Sequence, residues 1–189
     1  FENVTLVGVL SADQALYGND FRSYERAFDL LTQVAGRSGR GKFPGKAVVQ
    51  TFTPENPVIR LAAEQDYEGF YRGEIELRRS MLYPPFADLC VVGFVGKSEA
   101  KVADACEAFF RSLCETARSR YADLPLRVLN PSPAMVGRVS GQYRYKILMK
   151  CRNSRRFRTM LSEVLIRFSS LREYSNVTVF PDMNPETIL

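Results

Sequence analysis

Two arginines, Arg37 and Arg40, lie three residues apart near the end of an apolar helical pattern, and a glycine precedes each of them. The planar guanidinium of arginine pairs with two phosphate oxygens at once, and glycine lets the backbone approach such a group closely. An alternative is a helix that ends at Gly36, with cations near the negative end of its dipole. That alternative leaves Gln33 and the repeated Gly-Arg step unexplained, so the pattern favours a phosphate contact.

A second candidate surface comes from the distribution of charge, because no acidic residue occurs between Asp123 and Glu163. The whole chain has a net charge of +5, and its basic excess lies after residue 75. A block of one sign inside a patterned region favours binding to a polyanion or an acidic peptide. A solvated surface that only aids solubility is nearly as good an account. The candidate DNA- or partner-binding residues are Arg138, Arg144, Lys146, Lys150, Arg155 and Arg156.

The content of histidine and cysteine excludes several kinds of site. The chain has no histidine, which rules out a triad with a histidine base and a mixed Cys/His zinc site. Its four cysteines include no Cys-x-x-Cys pair, so we predict no metal site and free thiols in a reducing compartment, the cytoplasm. No apolar run approaches the roughly 20 residues that a membrane-spanning helix needs, and we expect no membrane partner. The first residues enter a strand pattern with neither a methionine nor a signal peptide, which predicts a piece of a longer protein.

The elements that position the arginines alternate between strand and helix. A β-prone run at 4–10 and another at 47–52 each read as a strand buried on both faces, and a helix from about 24 to 35 lies between them. This order predicts a parallel βαβ unit, in which Asp13 follows the carboxyl end of the first strand, where α/β sheets place ligand contacts. A longer helix is expected from about Pro57 to Met81.

The pattern changes after Tyr83-Pro84-Pro85-Phe86, a rigid extended break, and we expect two domains, 1–82 and 83–189. The second domain shows the order β, α, β, β, α, β, which predicts a ferredoxin-like fold with two helices on one face of a four-stranded sheet. The other face is expected to stay accessible to water. Alternation along 142–151 puts Tyr143 and Tyr145 opposite Arg144 and Lys146, which favours the core over base stacking for the tyrosines.

Three landmarks in this order resemble the primosomal replication-restart helicases of superfamily 2. The run Thr5–Asp13 is similar to helicase motif V, and Asp20–Arg22 followed by Leu30–Arg40 is similar to the passage through motif VI. Glu76–Arg79 followed by Tyr83–Phe86 resembles that family's entry into its C-terminal domain. The resemblance covers essentially the whole chain. It implies that residues 1–82 are the remnant of a RecA-like helicase lobe and that a ferredoxin-like C-terminal domain follows.

For individual residues, the resemblance implies that Arg37 and Arg40 neutralise charge on the γ-phosphate of ATP, while Gln33 orients them or the attacking water. The residues implied to couple the state of the nucleotide to the grip on DNA are Asp13, Gly36 and Gly39. The chain lacks a Gly-x-x-x-x-Gly-Lys-Ser/Thr motif, so ATP and Mg²⁺ would be held by another part of the parent protein. The parent would also carry zinc in a cysteine-rich insertion that this chain lacks.

The activity implied for the parent is that of an ATP-dependent 3′-to-5′ DNA helicase that recognises stalled forks and restarts replication by primosome assembly. This chain alone is expected to be inactive. Its implied partners are forked and single-stranded DNA, other primosome proteins and the acidic tail of single-stranded-DNA-binding protein, for which Lys146 is our candidate contact. The competing hypothesis is a stand-alone nucleic-acid- or peptide-binding module of ferredoxin-like fold with no ATPase role.

Overall fold

The computed structural model describes residues 4–18, 20–37 and 45–188, and for Arg37 it describes the backbone alone. The chain divides into two compact units, Phe1–Met81 and Leu82–Leu189. The first unit contains a two-stranded parallel sheet with helices, and the second contains an antiparallel sheet with two long helices. The chain therefore combines α/β and α+β architecture, as the sequence predicts.

In the first unit, strands β1 and β2 pair in parallel, from Leu6 opposite Lys46 to Val9 opposite Val49. Ala27, Phe28 and Leu31 of the helix that connects the two strands are buried, and they form a core with the short helix after β1 and with the helices that follow β2. The described elements are β1 (Leu6–Val9), α1 (Asp13–Leu16), α2 (Ser23–Arg37), β2 (Lys46–Val49), α3 (Pro57–Ala63) and α4 (Tyr67–Met81). The core residues are Ala12, Leu16, Ala27, Phe28, Leu31, Val58, Ala62 and Phe70.

The prediction that β1 and β2 are buried on both faces is wrong for this structure. Val9 and Val49 pack against the core of the unit. The opposite face is open, with Leu6 62% exposed and Val48 48% exposed. An apolar run predicts that both faces of a parallel strand will be covered, but it does not say which part of a protein provides the cover.

The single long helix predicted from Pro57 to Met81 is also wrong, because it is broken at residues 64–66. Gln65 adopts a left-handed conformation with φ of 53°, and the amides of Gln65 and Asp66 donate to the carbonyls of Ala62 and Leu61. This is the hydrogen-bond pattern of a Schellman motif, which ends α3. The Asp66 carboxylate then accepts from the Gly69 amide at 2.9 Å and so caps the start of α4.

The second unit has the predicted βαββαβ order with one strand added, because the segment before the hairpin forms two strands, β4 and β5. The strands lie side by side as β4–β6–β3–β7 and β5 also pairs with β6, so the sheet has five strands and not the predicted four. All pairs are antiparallel. This is the strand order of a ferredoxin-like sheet, in which the first strand lies at the centre beside the third and the fourth. The elements are β3 (Asp88–Gly96), α5 (Glu99–Arg120), β4 (Arg127–Val128), β5 (Ser132–Val139), β6 (Gln142–Cys151), α6 (Arg155–Ser169) and β7 (Thr178–Met183).

Helices α5 and α6 bury their apolar stripes against one face of this sheet. Cys90, Val92 and Phe94 of β3 face the helices and are fully buried. Phe109 of α5 and Phe168 of α6 meet there, with ring centroids 5.3 Å apart. Because alternate residues of a strand share a face, every second residue of β6 belongs to the same core. As predicted, Tyr143 and Tyr145 pack on this side.

The expectation that the other face stays accessible is wrong for the centre of the sheet. Leu89 and Val91 lie on that face and are 1% and 0% exposed. The ring of Phe180 on β7 reaches across Gly93, where a Cβ atom would lie only 2.5 Å from Phe180 Cζ. Gly93 thus provides the space for Phe180, and the central strand is buried on both faces. Its continuous apolar run is the pattern that such burial produces.

The edge beside β6 ends in a hairpin whose turn is Ser140-Gly141. Both residues have positive φ, 49° and 76°, which is the conformation of a type I′ turn. Behind the turn, β5 pairs with β6 at Arg138 and Val139 and again at Ser132 and Pro133. Residues Ala134–Gly137 between these pairs bulge out of the strand.

Candidate functional site

The predicted phosphate contact lies at the C-terminal end of α2. Gln33 is exposed, Gly36 is half-buried in the last turn, and Arg37 is the final residue of the helix. Gly36 faces the connection between α3 and α4, since a Cβ atom on it would lie 3.9 Å from Gln65 Nε2. Arg40 and Gly39 lie outside the described residues. The structure therefore places the predicted arginine at a helix end but leaves the pair of arginines untested.

The position of α2 is fixed by its contacts with α4. The rings of Phe28 and Phe70 stack with centroids 4.2 Å apart. Nearer the start of α2, Glu25 accepts from Arg78 of α4 at 2.7 Å. Arg78 also donates to Glu74 of its own helix at 2.8 Å. An aromatic stack and an ion-pair cluster therefore hold the N-terminal half of α2 against α4.

The Arg78 guanidinium is a structural cation. It lies 5.2 Å from the centroid of the Phe21 ring, and Arg22 lies 4.4 Å from the same ring. Burial works to lower the pKa of Arg78, but hydrogen bonds and charge from Glu74 and Glu25 outweigh burial and raise that pKa. A buried guanidinium needs such partners, because an unpaired charge in a low-dielectric region is costly.

Asp13 connects the carboxyl ends of the two parallel strands. Its carboxylate accepts from the Thr51 hydroxyl at 3.0 Å and from the Phe52 amide at 3.2 Å. The backbone continues the same contact, since the Ala12 amide donates to the Gln50 carbonyl at 3.0 Å. Asp13 thus braces the loop after β1 against the loop after β2, at the end of the sheet where the sequence predicts a ligand contact.

The six predicted basic residues do not form one surface. Arg144, Lys146 and Lys150 alternate along β6 and share the face opposite the helices. Arg138 pairs with Tyr143, and its guanidinium lies 5.0 Å from the centroid of that ring, so it stands on the other side of the hairpin. Arg155 and Arg156 begin α6.

Lys150 makes an internal contact within the second unit. It is 7% exposed, and its ammonium nitrogen lies 3.8 Å from the centroid of the Tyr83 ring. Burial, with a smaller contribution from Arg127 on the paired strand, lowers the pKa of Lys150. Burial also lowers the pKa of Lys146, which is half-buried. Burial therefore disfavours the charged form of both lysines, and Lys150 is the more deeply buried of the two.

Arg156 also has a partner within the unit. It donates to Asp123 at 2.9 Å, and its guanidinium lies 5.1 Å from the centroid of the Tyr121 ring. This contact ties the start of α6 to the end of α5. Arg155 next to it is exposed. Among the six candidates, Arg138, Arg155 and Arg156 are exposed, and Arg144 and Lys146 are half-exposed.

Comparison with known proteins identifies the family to which this geometry belongs. Residues 79–186 match the family described as Primosomal protein N C-terminal domain. The chain belongs to this family. The match begins in the last turn of α4 and includes every strand and helix of the second unit.

Curated relatives of the primosomal protein N family match almost the entire chain. "Replication restart protein PriA" of Bacillus subtilis is 39% identical over 188 residues, which are 98% of this chain and 22% of the relative. The proteins of the same name from Chlamydia muridarum and Haemophilus influenzae are 35% and 31% identical over 99% and 100% of the chain. The chain spans about a quarter of the length of these relatives. A designed protein, Foldit4, is 9% identical and matches 53% of this chain and 98% of its own, with a TM-score of 0.38.

The family assignment confirms the resemblance found in the motifs, and two residues gain a role that sequence reasoning missed. Arg78 belongs to a landmark of the resemblance, but its role in joining α4 to α2 becomes clear only from Glu25, 53 residues away. Arg127 was not a candidate, yet it pairs in register with Lys150 and adds an exposed cation to that edge. Its place in the acid-free stretch was the available signal.

The cysteines and acidic groups offer no further site among the described residues. All four cysteines are free thiols, and burial raises the pKa of Cys90, Cys106 and Cys151 to about 12, so they are poor nucleophiles. Within the part of the chain that the structure describes, no group of cysteine and acidic side chains is arranged to hold a metal ion. None of the described helices is both long and apolar enough to cross a membrane.

Proposed function

We propose that this chain is the C-terminal part of an ATP-dependent 3′-to-5′ DNA helicase that recognises stalled forks and restarts replication in the cytoplasm by primosome assembly. Relatives that match nearly all of the chain carry the name replication restart protein. The competing hypothesis of a stand-alone binding module is less well supported, because the relatedness extends through residues 1–78, outside the C-terminal domain.

In this proposal the first unit supplies only part of a nucleotide site. Arg37 and Arg40 would neutralise charge on the γ-phosphate, with Gln33 orienting them or the attacking water. Asp13, which joins the two strand ends, and the glycines Gly36 and Gly39 would couple this contact to DNA. The arginines of this chain are suited to contact the phosphates of ATP. Because the chain has no phosphate-binding loop, ATP and Mg²⁺ would be held by another part of the parent. Zinc would likewise belong to the parent.

The second unit would bind polyanions. The observation that carries this proposal is the acid-free stretch between Asp123 and Glu163, which places Arg138 and Arg144 on the hairpin and Arg155 at the start of α6. Arginine side chains that are not enclosed by the protein can pair with phosphates whatever the base sequence. We propose DNA as the main ligand. The acidic tail of single-stranded-DNA-binding protein and other primosome proteins are proposed partners of the same cations.

Binding of DNA to the complete 189-residue chain tests this proposal. Fluorescence anisotropy with labelled single-stranded and forked DNA is measured between 50 and 200 mM salt. We expect affinity to fall with salt, and Arg138→Ala with Arg144→Ala to reduce the logarithmic slope by about 0.7 per lost phosphate contact. The matched control is Arg60→Ala with Arg72→Ala, which removes the same charge from exposed positions of the first unit. Equal effects of the two pairs would show that net charge, and not the hairpin, governs binding.

The arginine contact is tested by ATP hydrolysis. We expect no turnover from the 189-residue chain alone. In the parent protein, Arg37→Ala and Arg40→Ala are each expected to lower the rate of hydrolysis about a thousandfold while leaving ATP binding largely intact. Turnover by the isolated chain, or a parent whose hydrolysis is unaffected by both substitutions, would exclude the proposed role.

A further inference from the structure

The β5–β6 hairpin carries an irregularity that the proposed phosphate contacts do not require. Between the pairs Pro133–Tyr145 and Arg138–Tyr143, four residues of β5, Ala134–Gly137, lie opposite a single residue of β6, Arg144. We call these four residues the bulge. A bulge of this size takes its residues out of the ladder and directs some of their side chains away from the sheet.

The outer residues of the bulge are apolar and exposed. Met135 is 62% exposed and Val136 is 55% exposed, while Ala134 at its base is 7% exposed. Val139, at the end of the same strand, is 44% exposed. A bulge that served only to protect an edge strand from pairing would act as well with polar residues, which would also avoid exposing apolar surface. The apolar side chains therefore indicate contact with a partner.

The charges around the bulge indicate the chemistry of that partner. Arg138 follows the bulge immediately, Arg144 lies opposite it, and the nearest acidic residues in the sequence are Asp123 and Glu163. An apolar tip between arginines complements a ligand that has apolar faces bordered by negative charge. Nucleic acid with unstacked bases has this composition, since base faces are apolar and a phosphate adjoins each one.

We propose that the bulge contacts the bases of DNA where stacking is interrupted, as at a fork or strand junction. Met135 and Val136 pack on the exposed base faces, and Arg138 and Arg144, which lie on opposite faces of the hairpin, hold the phosphates on either side. An intact duplex offers no such face without unstacking a base step, which is costly. The bulge thus discriminates between junctions and continuous duplex. This inference rests on the proposed function only in requiring that the second unit bind DNA.

Replacement of the apolar side chains tests the role of the bulge separately from DNA binding by the second unit. Met135→Ser with Val136→Ser is made in the complete chain, and Ile166→Ser, a 71% exposed residue of α6, serves as the control. The probes are a short fork with 2-aminopurine at its junction and a fully paired duplex of the same sequence. We expect the double variant to lose about tenfold in affinity for the fork, from the lost burial of two apolar side chains, and to bind the duplex as the wild type does. Wild-type protein should also raise the fluorescence of 2-aminopurine, and the double variant should not.

The outcomes distinguish a failure of the inference from a failure of the proposed function. If the wild type binds both probes in a salt-dependent manner but the double variant binds the fork equally well, the bulge has no role and DNA binding stands. If the wild type binds neither probe in low salt, both ideas fall. An apolar and acidic peptide whose binding is lost in the double variant, while fork binding is unchanged, would identify a protein partner and overturn the inference.

Discussion

Replacement of Arg78 by methionine tests whether the ion-pair cluster of the first unit holds α2 in place. The Arg78 side chain is 15% exposed and pairs with Glu74, which is 9% exposed, and with Glu25, which is 47% exposed. Methionine keeps much of the length and the apolar contacts of the arginine stem. The substitution therefore removes the charge while leaving most of the packing on Phe21.

The expected cost follows from the exposure of each partner. Removing one member of a buried pair costs about 3–5 kcal/mol, whereas an exposed pair contributes about 0.2–1 kcal/mol. The contact with Glu74 lies between these limits, and the contact with Glu25 is near the lower one. We expect Arg78→Met to destabilise the packing of α2 on α4 by about 2 kcal/mol, and Glu25→Gln by about 0.5 kcal/mol. Because a buried pair can be replaced by apolar residues, Glu74→Leu combined with Arg78→Met should recover part of the loss.

Hydrogen exchange measured by mass spectrometry can detect this loss of stability in α2 and α4 separately from the rest of the chain. A loss of 2 kcal/mol corresponds to about thirtyfold faster exchange in peptides of α2 and α4, if these helices open as a unit. Peptides of β3 and α5 in the second unit provide an internal control and should exchange as in the wild type. Unchanged protection of α2 in Arg78→Met, or an equal loss in Glu25→Gln, would refute the claim that the nearly buried pair holds the helix.

Three further substitutions test other contacts. Gly93→Ala places a Cβ atom 2.5 Å from Phe180 Cζ and should cost about 1–3 kcal/mol in urea unfolding, with recovery on adding Phe180→Leu. Hydrogen bonds from the Asn153 amide and then from Asn184 lower the pKa of Asp88, so its stabilisation is present above the ordinary pKa and is lost as pH falls through the lowered value. Asp88→Asn should therefore reduce stability at pH 7 and flatten the loss of stability below about pH 4. Asp13→Ala removes the acceptor of the Thr51 hydroxyl, and about 1 kcal/mol should be lost in thermal unfolding, because the Phe52 amide belongs to an exposed residue and can bond to water instead.

Much of the second unit could be predicted from sequence because its patterns are local. The alternation along β6 assigned the tyrosines to the core and the cations to the opposite face, and the Ser140-Gly141 turn was clear from its glycine. The burial of β3 on both faces could also have been predicted, since Leu89–Val95 is a continuous apolar run. The expectation of an accessible outer face gave too little weight to that run.

Other features depend on contacts that a sequence pattern does not contain. The break between α3 and α4 requires Gln65 in a left-handed conformation, which glutamine rarely adopts, and a carboxylate on Asp66 that caps the next helix. The burial of Lys150 depends on Tyr83, a residue 67 positions earlier in the chain. From charge alone, Lys150 and Arg155 are equivalent candidates for binding a ligand. In the structure Lys150 is buried against the Tyr83 ring, whereas Arg155 is exposed.

These surroundings change how the acid-free stretch should be tested. A charge block is usually treated as one surface, yet here Lys150 lies on an aromatic ring and Arg156 is paired with Asp123. Substituting either residue removes an internal contact as well as a charge, so a loss of DNA binding would not distinguish a ligand contact from a disturbed fold. Arg138 lies at the hairpin surface and Arg155 is exposed. Because Arg138 also lies over the Tyr143 ring, the stability of each arginine variant of the second unit should be measured beside its DNA binding, with Arg156→Ala as the variant that loses an ion pair.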